Sequence, residues 1–161
     1  MARALRSVSV RLATRADYAG FARVARETHD YHVALLPEVF RDAADIFPEA
    51  YFVELVEGVA SCILLAERAG VITGYATMRL RGAPLDILVP HISAFIDNFG
   101  VAASARRHGV GRRLLMACRE RARAMGADSL DLDCWEANQP GLRFYEAMGM
   151  RTTRRRLTLD L

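Results

Sequence analysis

The stretch from residue 91 to residue 135 constrains the fold more than any other part of the chain. It contains an alternating apolar run at 91–101, a loop with two glycines, an amphipathic helix that ends at Gly126, and a second alternating run at 129–135. One face of that helix carries Leu114, Leu115, Cys118, Ala122 and Met125. Strand, helix and strand in this order predict two parallel strands joined by a right-handed crossover, with the helix covering the sheet.

The rest of the chain predicts an antiparallel extension of the same sheet. Its elements, in chain order, are a strand at 8–13, a helix from Thr14 towards Pro37, a helix from Pro48 to about Gly58, and a hairpin of strands at 61–68 and 71–81. After the crossover come a short helix at 139–148 and a closing strand at 150–161. We therefore predict an α/β fold with one mixed sheet flanked by helices.

Composition narrows the function classes. A length of 161 residues with 52% hydrophobic and 25% charged residues predicts a single domain over 1–161, with its core from about residue 8. All 22 basic residues are arginine, which excludes a P-loop lysine and a lysine Schiff base. The net charge of +3 is too small to indicate nucleic acid, and no helix-turn-helix, zinc or RNA-binding signature accompanies it.

The cysteines and the chain start favour a cytoplasmic protein. Cys62, Cys118 and Cys134 lie in apolar runs without metal-ligand spacing, so we expect them to be reduced core residues. The first residues lack the apolar region of a secretory leader, and no run reaches the roughly 18 apolar residues of a membrane span. We expect no membrane partner and no bound metal.

The glycine loop has the features of an anion site. Gly109 and Gly111 stand between a strand and a helix N-terminus, where unpaired backbone N–H groups and the helix dipole attract negative charge. Positive charge around the loop comes from Arg106, Arg107, Arg112 and Arg113. The loop lacks the third glycine of a dinucleotide fingerprint, so we predict a phosphate-bearing ligand of another class.

Two motifs together resemble one family. Arg106-x-x-Gly109-x-Gly111 is similar to the pyrophosphate loop of the GNAT superfamily of acyl-CoA-dependent N-acyltransferases. Asn138, followed seven residues later by Tyr145-Glu146, is similar to the second GNAT signature. Two departures leave its chemistry intact: Gly141 stands where alanine is usual, and Met150 where phenylalanine is usual. The element order resembles the family from residue 8 to the end.

The resemblance implies that acetyl-CoA is the co-substrate and that no metal is needed. The pyrophosphate site carried over from the family comprises Arg106, Arg107, His108, Gly109, Val110, Gly111 and Arg112. The family likeness also implies a splayed parallel strand pair, in which the backbone of Phe99 and Val101 binds the pantetheine arm. Gly100 between them suits a strand bulge. Asn138 is expected either to support the cofactor or to fix the strand-to-helix turn.

Amide formation from a thioester and an ammonium group needs a base and benefits from an acid. By resemblance Asp97 is the candidate base, directly or through water, although a carboxylate near a strand end is also commonly solvated or a cap. Tyr145 is the candidate acid, although its spacing with Leu142 and Met148 also fits a core aromatic. Some relatives use a base elsewhere, or only water.

The acceptor region of the family corresponds to residues 28–41, where His29, Tyr31 and His32 are candidate substrate contacts. The two histidines lack a third nearby ligand, so a solvated helix face is favoured over a metal site. The run at 154–156 is interpreted as charge protecting an edge strand, and Trp135 either belongs to the core or shapes the site.

We therefore expect an N-acetyltransferase acting by direct transfer on a primary amine of a small molecule or peptide. A catalytically silent acyl-CoA-binding regulatory module is the alternative, and a homodimer remains open.

Overall fold

The computed structural model describes residues 8–161 and contains one sheet with helices on both faces. The strands are β1 (Val8–Leu12), β2 (Ser61–Arg68), β3 (Val71–Arg81), β4 (Ser93–Val101) and β5 (Ser129–Leu132). The helices are α1 (Tyr18–Leu35), α2 (Glu49–Glu57), α3 (Val110–Ala124) and α4 (Gln139–Ala147). Residues 1–7, on which the expectation of no secretory leader partly rests, lie outside the described range.

The sheet has the strand order β1-β2-β3-β4-β5. The first three pairings are antiparallel, and β4 pairs in parallel with β5 through the α3 crossover. This arrangement confirms the predicted α/β class and mixed sheet. The hairpin of β2 and β3 has the bounds that the sequence predicts.

Neighbouring residues of β3 show how the helices divide between the two faces, because successive strand side chains point to opposite sides. Tyr75 packs edge-on against Phe21 of α1, with ring centroids 4.9 Å apart, and Phe21 lies 4.9 Å from Phe52 of α2. A side chain added at Gly74 would instead meet Val110 of α3. The core therefore has an aromatic layer under α1 and α2 and an aliphatic layer under α3.

The second parallel strand is shorter than predicted. The sequence favours a strand through residue 135, but β5 ends at Leu132, which is also its last pairing residue, opposite Ile96. Beyond that pair the two parallel strands separate, so residues 133–135 have no strand on that side to hydrogen-bond with. The alternating sequence of residues 133–135 fits a strand, but β4, the strand with which they would pair, has already turned away.

The predicted closing strand at 150–161 is wrong for the single chain. Residues 151–161 are exposed and belong to no helix or strand. Because no strand forms there, the interpretation of residues 154–156 as charge on an edge strand is also wrong. Alternation gives a segment the pattern of a strand, but a strand also needs a neighbour with which to form its hydrogen bonds.

Candidate active site

A bulge and a splay in the middle of β4 form the site. Parallel pairing runs from Ser93 opposite Ser129 to Ile96 opposite Leu132, and then stops. At the same place the register with β3 shifts: Ile96 pairs with Met78 and Asn98 with Thr77, which leaves Asp97 as an extra residue. Bulges bend a strand and re-aim a side chain, so this one turns Asp97 out where β4 leaves β5.

The sequence predicts the bulge at Gly100, and that position is wrong. Gly100 pairs regularly with Tyr75 of β3. Its glycine is required for a different reason: a Cβ there would lie 2.1 Å from Thr28 Oγ1 and 2.6 Å from Tyr75 Cε1. The absence of a side chain lets α1 lie directly on residues 97–101 of β4, the part of the strand that has no β5 beside it and that we call its open half.

The glycine loop ends at the N-terminus of α3. Gly109 is the N-cap, with φ +80°, and Val110 begins the helix. Gly109 is glycine because this left-handed conformation strains other residues. Arg113 N is the first amide that bonds back into the helix, to the Gly109 carbonyl at 3.1 Å. The earlier amides of the first turn face outward, as an anion site requires.

The loop arginines are exposed but differ in their contacts. Arg106 Nε donates to the Val101 carbonyl at 3.2 Å, and its guanidinium lies 5.4 Å from the Tyr31 ring. Arg107 is exposed with φ 64°, and His108 Nδ1 lies 2.7 Å from the Arg106 carbonyl. Arg106 therefore joins the loop to β4 and α1, while Arg107 remains free to meet an anion.

The surroundings of Gly111 leave room for a Cβ atom. A Cβ there would lie 3.4 Å from Phe144 Cζ and 3.7 Å from Val101 Cγ2, which are ordinary contacts. An alanine is therefore compatible with the fold, whereas the branched methyl groups of valine would press on Phe144. Any loss of ligand affinity in Gly111→Ala would therefore have to arise from contact with the bound ligand itself.

Asp97 is held by two arginines of β3. Its Oδ2 accepts from Arg79 Nε at 2.8 Å and its Oδ1 from Arg81 Nη2 at 2.5 Å, and its side chain is only 13% exposed. Arg79 also donates to the Tyr51 hydroxyl at 2.7 Å. Each carboxylate oxygen keeps a second lone pair that another donor can use. An incoming ammonium group would have to share Asp97 with both guanidinium groups.

Tyr145 lies on α4 beside the open half of β4. Its ring centroid is 6.0 Å from that of Phe99 and 5.2 Å from that of Phe144. Burial raises the pKa of its hydroxyl, and the neighbouring Cys134, Cys118 and Tyr75 raise it further. The group therefore stays protonated at neutral pH and can donate a hydrogen bond.

Asn138 fixes the start of α4. Its Oδ1 accepts from the Gly141 amide at 3.1 Å and from the Tyr31 hydroxyl at 3.1 Å. A Cβ at 141 would lie 2.6 Å from Asn138 Nδ2, so glycine at this departure from the family pattern makes room for the cap. The bond from Tyr31 joins α1 to α4 beside the splay of β4 from β5, and we call the space between these two helices the cleft.

The candidate acceptor residues join an aromatic cluster that the sequence did not reveal. The ring of Phe40 lies 5.2 Å from that of His32, 6.3 Å from that of His29 and 5.6 Å from that of Trp135. His32 Nδ1 lies 3.0 Å from the Thr28 carbonyl, and burial lowers the pKa of this half-buried imidazole. The aromatic cluster (His29, His32, Phe40 and Trp135) connects the end of α1 with the chain beyond β5.

The structure thus places Asp97 at the bulge and Phe99 against the Tyr145 ring, with Asn138 at the start of α4 and the glycine loop after the end of β4. Sequence reasoning missed Arg79, Arg81 and Tyr51, although the two arginines alternate on β3 and so share a face. Among residues 8–161, no three His, Cys, Asp or Glu side chains group as a metal site would require, and no helix is long and apolar enough to cross a membrane.

Comparison with known proteins agrees with this geometry. The model of the acetyltransferase (GNAT) family matches residues 27–150, more than half of the chain, and the protein therefore belongs to the GNAT family. The tetramutant of BH1408 from Bacillus halodurans is 27% identical, covering 95% of this chain and 99% of its own, with a TM-score of 0.89.

Two further relatives differ in what they can support. The aminoglycoside N-acetyltransferase AAC(6')-Iy, solved in complex with CoA, has a TM-score of 0.71 over 96% of this chain and 95% of its own, but at 16% identity it supports the fold alone. The uncharacterized N-acetyltransferase YdgE of Bacillus subtilis (strain 168) is 34% identical over 76 residues, 47% of this chain. That match spans only about half the length of YdgE.

Proposed function

We propose that this protein transfers an acetyl group from acetyl-CoA directly to a primary amine of a small molecule or peptide. The observation that carries the proposal is the coincidence of three features at one place: the splay of β4 from β5, the outward amides of α3, and the half-buried Tyr145, whose pKa is raised. Family membership supports the reaction class.

Coenzyme A would lie along the open half of β4 with its pyrophosphate on the loop. The first-turn amides of α3 and the exposed guanidinium groups of Arg107 and Arg112 supply the positive potential for the phosphates. Strand β4 continues from Asp97 to Val101 without β5 beside it, which leaves backbone groups for an extended arm. The Val101 carbonyl already accepts from Arg106, so Phe99 is the less engaged of the two proposed backbone contacts.

Asp97 is the proposed base, directly or through one water. The bulge turns it out of the β-sheet ladder, and its unused lone pairs can accept a proton from the acceptor ammonium. Its two arginine partners each occupy one lone pair of a carboxylate oxygen and remain beside the acceptor during that step. His32 is the competing candidate, because its lowered pKa favours the neutral imidazole and the Thr28 carbonyl engages only Nδ1.

Tyr145 is the proposed acid for the departing thiolate. A tyrosine whose pKa is raised by burial donates a hydrogen bond to sulfur without losing its proton beforehand. With the aromatic cluster at the other side of the cleft, the acceptor would meet ring faces, which attract a cationic amine.

A thiol-release screen tests the proposal. The full-length chain is given acetyl-CoA and panels of alkylamines, aminoglycosides, amino acids and peptides with free N-termini, and free thiol is measured with and without each amine. Release that depends on one amine class, with the acetylated amine found by mass spectrometry, supports the proposal. Tight acetyl-CoA binding with no turnover on any amine would instead support the silent regulatory module.

A further inference from the structure

The two arginines that hold Asp97 carry more positive charge than this carboxylate neutralises. Two guanidinium groups and one carboxylate leave the cluster of Arg79, Arg81 and Asp97 with a net charge of +1. The Asp97 side chain is 13% exposed, whereas those of Arg79 and Arg81 are 39% and 47% exposed. On the neighbouring strand, Asp131 accepts from Ser129 Oγ at 3.1 Å and pairs with neither arginine. The uncompensated charge therefore faces solvent beside the bulge.

Most hydrogen-bond donors of the two guanidinium groups are unused. A guanidinium group has five N–H donors. Within residues 8–161, Arg79 uses two of them, on Asp97 and on the Tyr51 hydroxyl, and Arg81 uses one, on Asp97. The Tyr51 hydroxyl accepts from Arg79 and so keeps its own proton to donate. The cluster can therefore form several hydrogen bonds with one further anionic group.

Aromatic side chains hold both guanidinium groups in place. Arg81 Cζ lies 3.5 Å from the ring centroid of Phe95, and Arg79 Cζ lies 5.8 Å from that of Tyr51. The Tyr51 ring in turn stacks on Phe47, with centroids 5.9 Å apart. Donors that are positioned beforehand reduce the cost of ordering them around a ligand. A planar guanidinium group also matches the geometry of a carboxylate.

The place of this cluster limits which anion it can meet. This step rests on the proposed function, in which the acceptor nitrogen approaches Asp97 directly or through one water. Asp97 is the extra residue of the bulge and accepts hydrogen bonds from both Arg79 and Arg81. A substituent on the carbon that bears the amine would therefore lie beside the two guanidinium groups. A carboxylate at this position would be attracted, and a second ammonium group would be repelled.

We propose that the acceptor is a free α-amino acid, whose carboxylate binds Arg79 and Arg81 while its ammonium group approaches Asp97. The opposite charges of this acceptor match the opposite charges of the cluster. The amine nitrogen would gain the acetyl carbon as the thioester C–S bond breaks. Of the two protons that the ammonium group loses, one would pass to Asp97 and then to solvent, and the other would end on the thiol of coenzyme A. In this proposal the arginines select the acceptor and do more than hold Asp97.

The first test compares each common α-amino acid with its own primary amide, with acetyl-CoA and the wild-type chain. The amide replaces the carboxylate by a neutral group of nearly the same shape. The value of kcat/KM should be higher for the amino acid by about tenfold or more, the size expected for a hydrogen bond to a charged group. An α-amino group beside a neutral carbonyl has a pKa of only about 7.7–8.0, so the amide is not the harder amine to deprotonate.

The second test asks whether the preference depends on Arg81. Arg81→Gln should lower the ratio of kcat/KM for the amino acid to kcat/KM for its amide by about tenfold or more. Arg119→Gln removes the same charge from an exposed position on α3 and should leave the ratio unaltered. If Arg81 only positions Asp97, its loss should slow the two substrates equally and leave the ratio at the wild-type value.

The possible results separate this inference from the reaction class. Equal kcat/KM values for an amino acid and its amide, or an unchanged ratio in Arg81→Gln, would overturn the inference. Turnover confined to alkylamines, aminoglycosides or peptides with free N-termini would also overturn it, while acetyl transfer itself would stand. The absence of turnover with every amine would overturn the acetyltransferase proposal and this inference together. The comparison of substrates on the wild-type chain needs no variant to fold.

Discussion

The two halves of β4 differ although they belong to one continuous strand. From Ser93 to Ile96 the strand is hydrogen-bonded to β3 on one side and β5 on the other, and Ala94 and Ile96 are buried. From Asp97 to Val101 it keeps β3 but loses β5, and helices α1 and α4 approach it instead. We call these the closed half and the open half.

We infer that the closed half contributes mainly to the stability of the fold and the open half mainly to catalysis. In the closed half the side chains of Ala94 and Ile96 are buried in the core, where they stabilise the fold. Those of the open half contact titratable groups: Asp97 meets two arginines, and Phe99 meets the Tyr145 ring. Substitutions in the closed half should therefore lower the free energy of unfolding, and those around the open half should mainly lower turnover.

The largest effect is expected at Asp97, the first residue of the open half. Asp97→Asn should lower turnover by about 10²–10⁴-fold, because general-base contributions have this size. The loss should be greatest at low pH, where an amine with a pKa of about 10.4 is almost entirely protonated and needs a base most. The measurement is the pH profile of kcat/KM for a confirmed acceptor.

Two controls give that experiment its meaning. Asp131→Asn changes a half-buried carboxylate of β5 opposite the closed half and should leave the rate nearly unaltered. His32→Gln removes the competing base. If His32→Gln abolishes the rate while Asp97→Asn leaves the profile unchanged, the base lies on α1 and not on β4.

In the closed half, Ile96→Ala should cost stability instead. Ile96 is 3% exposed and pairs with both Met78 and Leu132, so its truncation leaves a cavity that costs about 2–5 kcal/mol. Ile96→Val should cost only about 0.5–1.5 kcal/mol. Denaturant unfolding measures the loss, and calorimetry on the folded variants should find CoA affinity almost unchanged. If Ile96→Ala lowered CoA affinity without lowering the free energy of unfolding, the two halves of β4 would not differ in the way that we propose.

Tyr145→Phe removes one hydroxyl beside the open half and keeps the ring. Turnover should fall by about 10- to 1000-fold with acetyl-CoA affinity near normal, because the hydroxyl acts on sulfur as charge develops. Because the pKa of Tyr145 is raised above its usual value of about 10, its hydroxyl stays protonated below that pH. The wild-type rate should therefore not fall through deprotonation of Tyr145 below about pH 10.

An acyl donor with a better leaving thiol serves as the internal control for this variant. Such a donor needs protonation less, so it should recover part of the lost rate. Full activity of Tyr145→Phe, or a defect confined to melting temperature, would return the residue to a purely structural role and leave solvent as the proton source.

The smallest effect is expected at Tyr31, whose hydroxyl joins α1 to Asn138 across the cleft. Tyr31→Phe should lower stability by about 0.5–1.5 kcal/mol, the net contribution of one hydrogen bond. Tyr18→Phe removes a comparable bond from the same helix, to the Phe47 carbonyl at 2.8 Å, and should cost a similar amount. Only Tyr31→Phe should raise KM for the acceptor. Equal KM values in the two variants would remove Tyr31 from the acceptor site.

The sequence predicts much of the fold because its strongest patterns are local. The hairpin at 61–81 and the helix behind the glycine loop each show their period within a short window, and both form as expected. The end of β5 and the unpaired state of 151–161 depend on whether another strand is adjacent, and no local pattern contains that information. The glycine at position 100 suggested a bulge from local sequence. It is required instead because Thr28 of α1 approaches it, which is a contact distant in sequence.

The site was predictable to the extent that its residues follow one another in motifs. The loop and Asn138 stand at fixed spacings, and the structure gives both a local role at a helix N-terminus. The partner Arg79 of Asp97 comes from the preceding strand β3, 18 residues away, and Phe40 meets Trp135 across more than half of the chain. Contacts of this kind follow from the register at the bulge and from the path of the chain after α1.

The central claim is that the loop at 106–112 binds the pyrophosphate of coenzyme A, and calorimetry with Gly111→Val tests it most directly. Coenzyme A and pantetheine, which lacks the pyrophosphate, are titrated into the wild-type protein, Gly111→Val and the milder Gly111→Ala. The wild type should bind coenzyme A much more tightly than pantetheine, and Gly111→Val should weaken coenzyme A binding at least tenfold (about 1.4 kcal/mol) while remaining folded and keeping its pantetheine affinity. Unchanged coenzyme A affinity in a folded Gly111→Val protein would contradict the account.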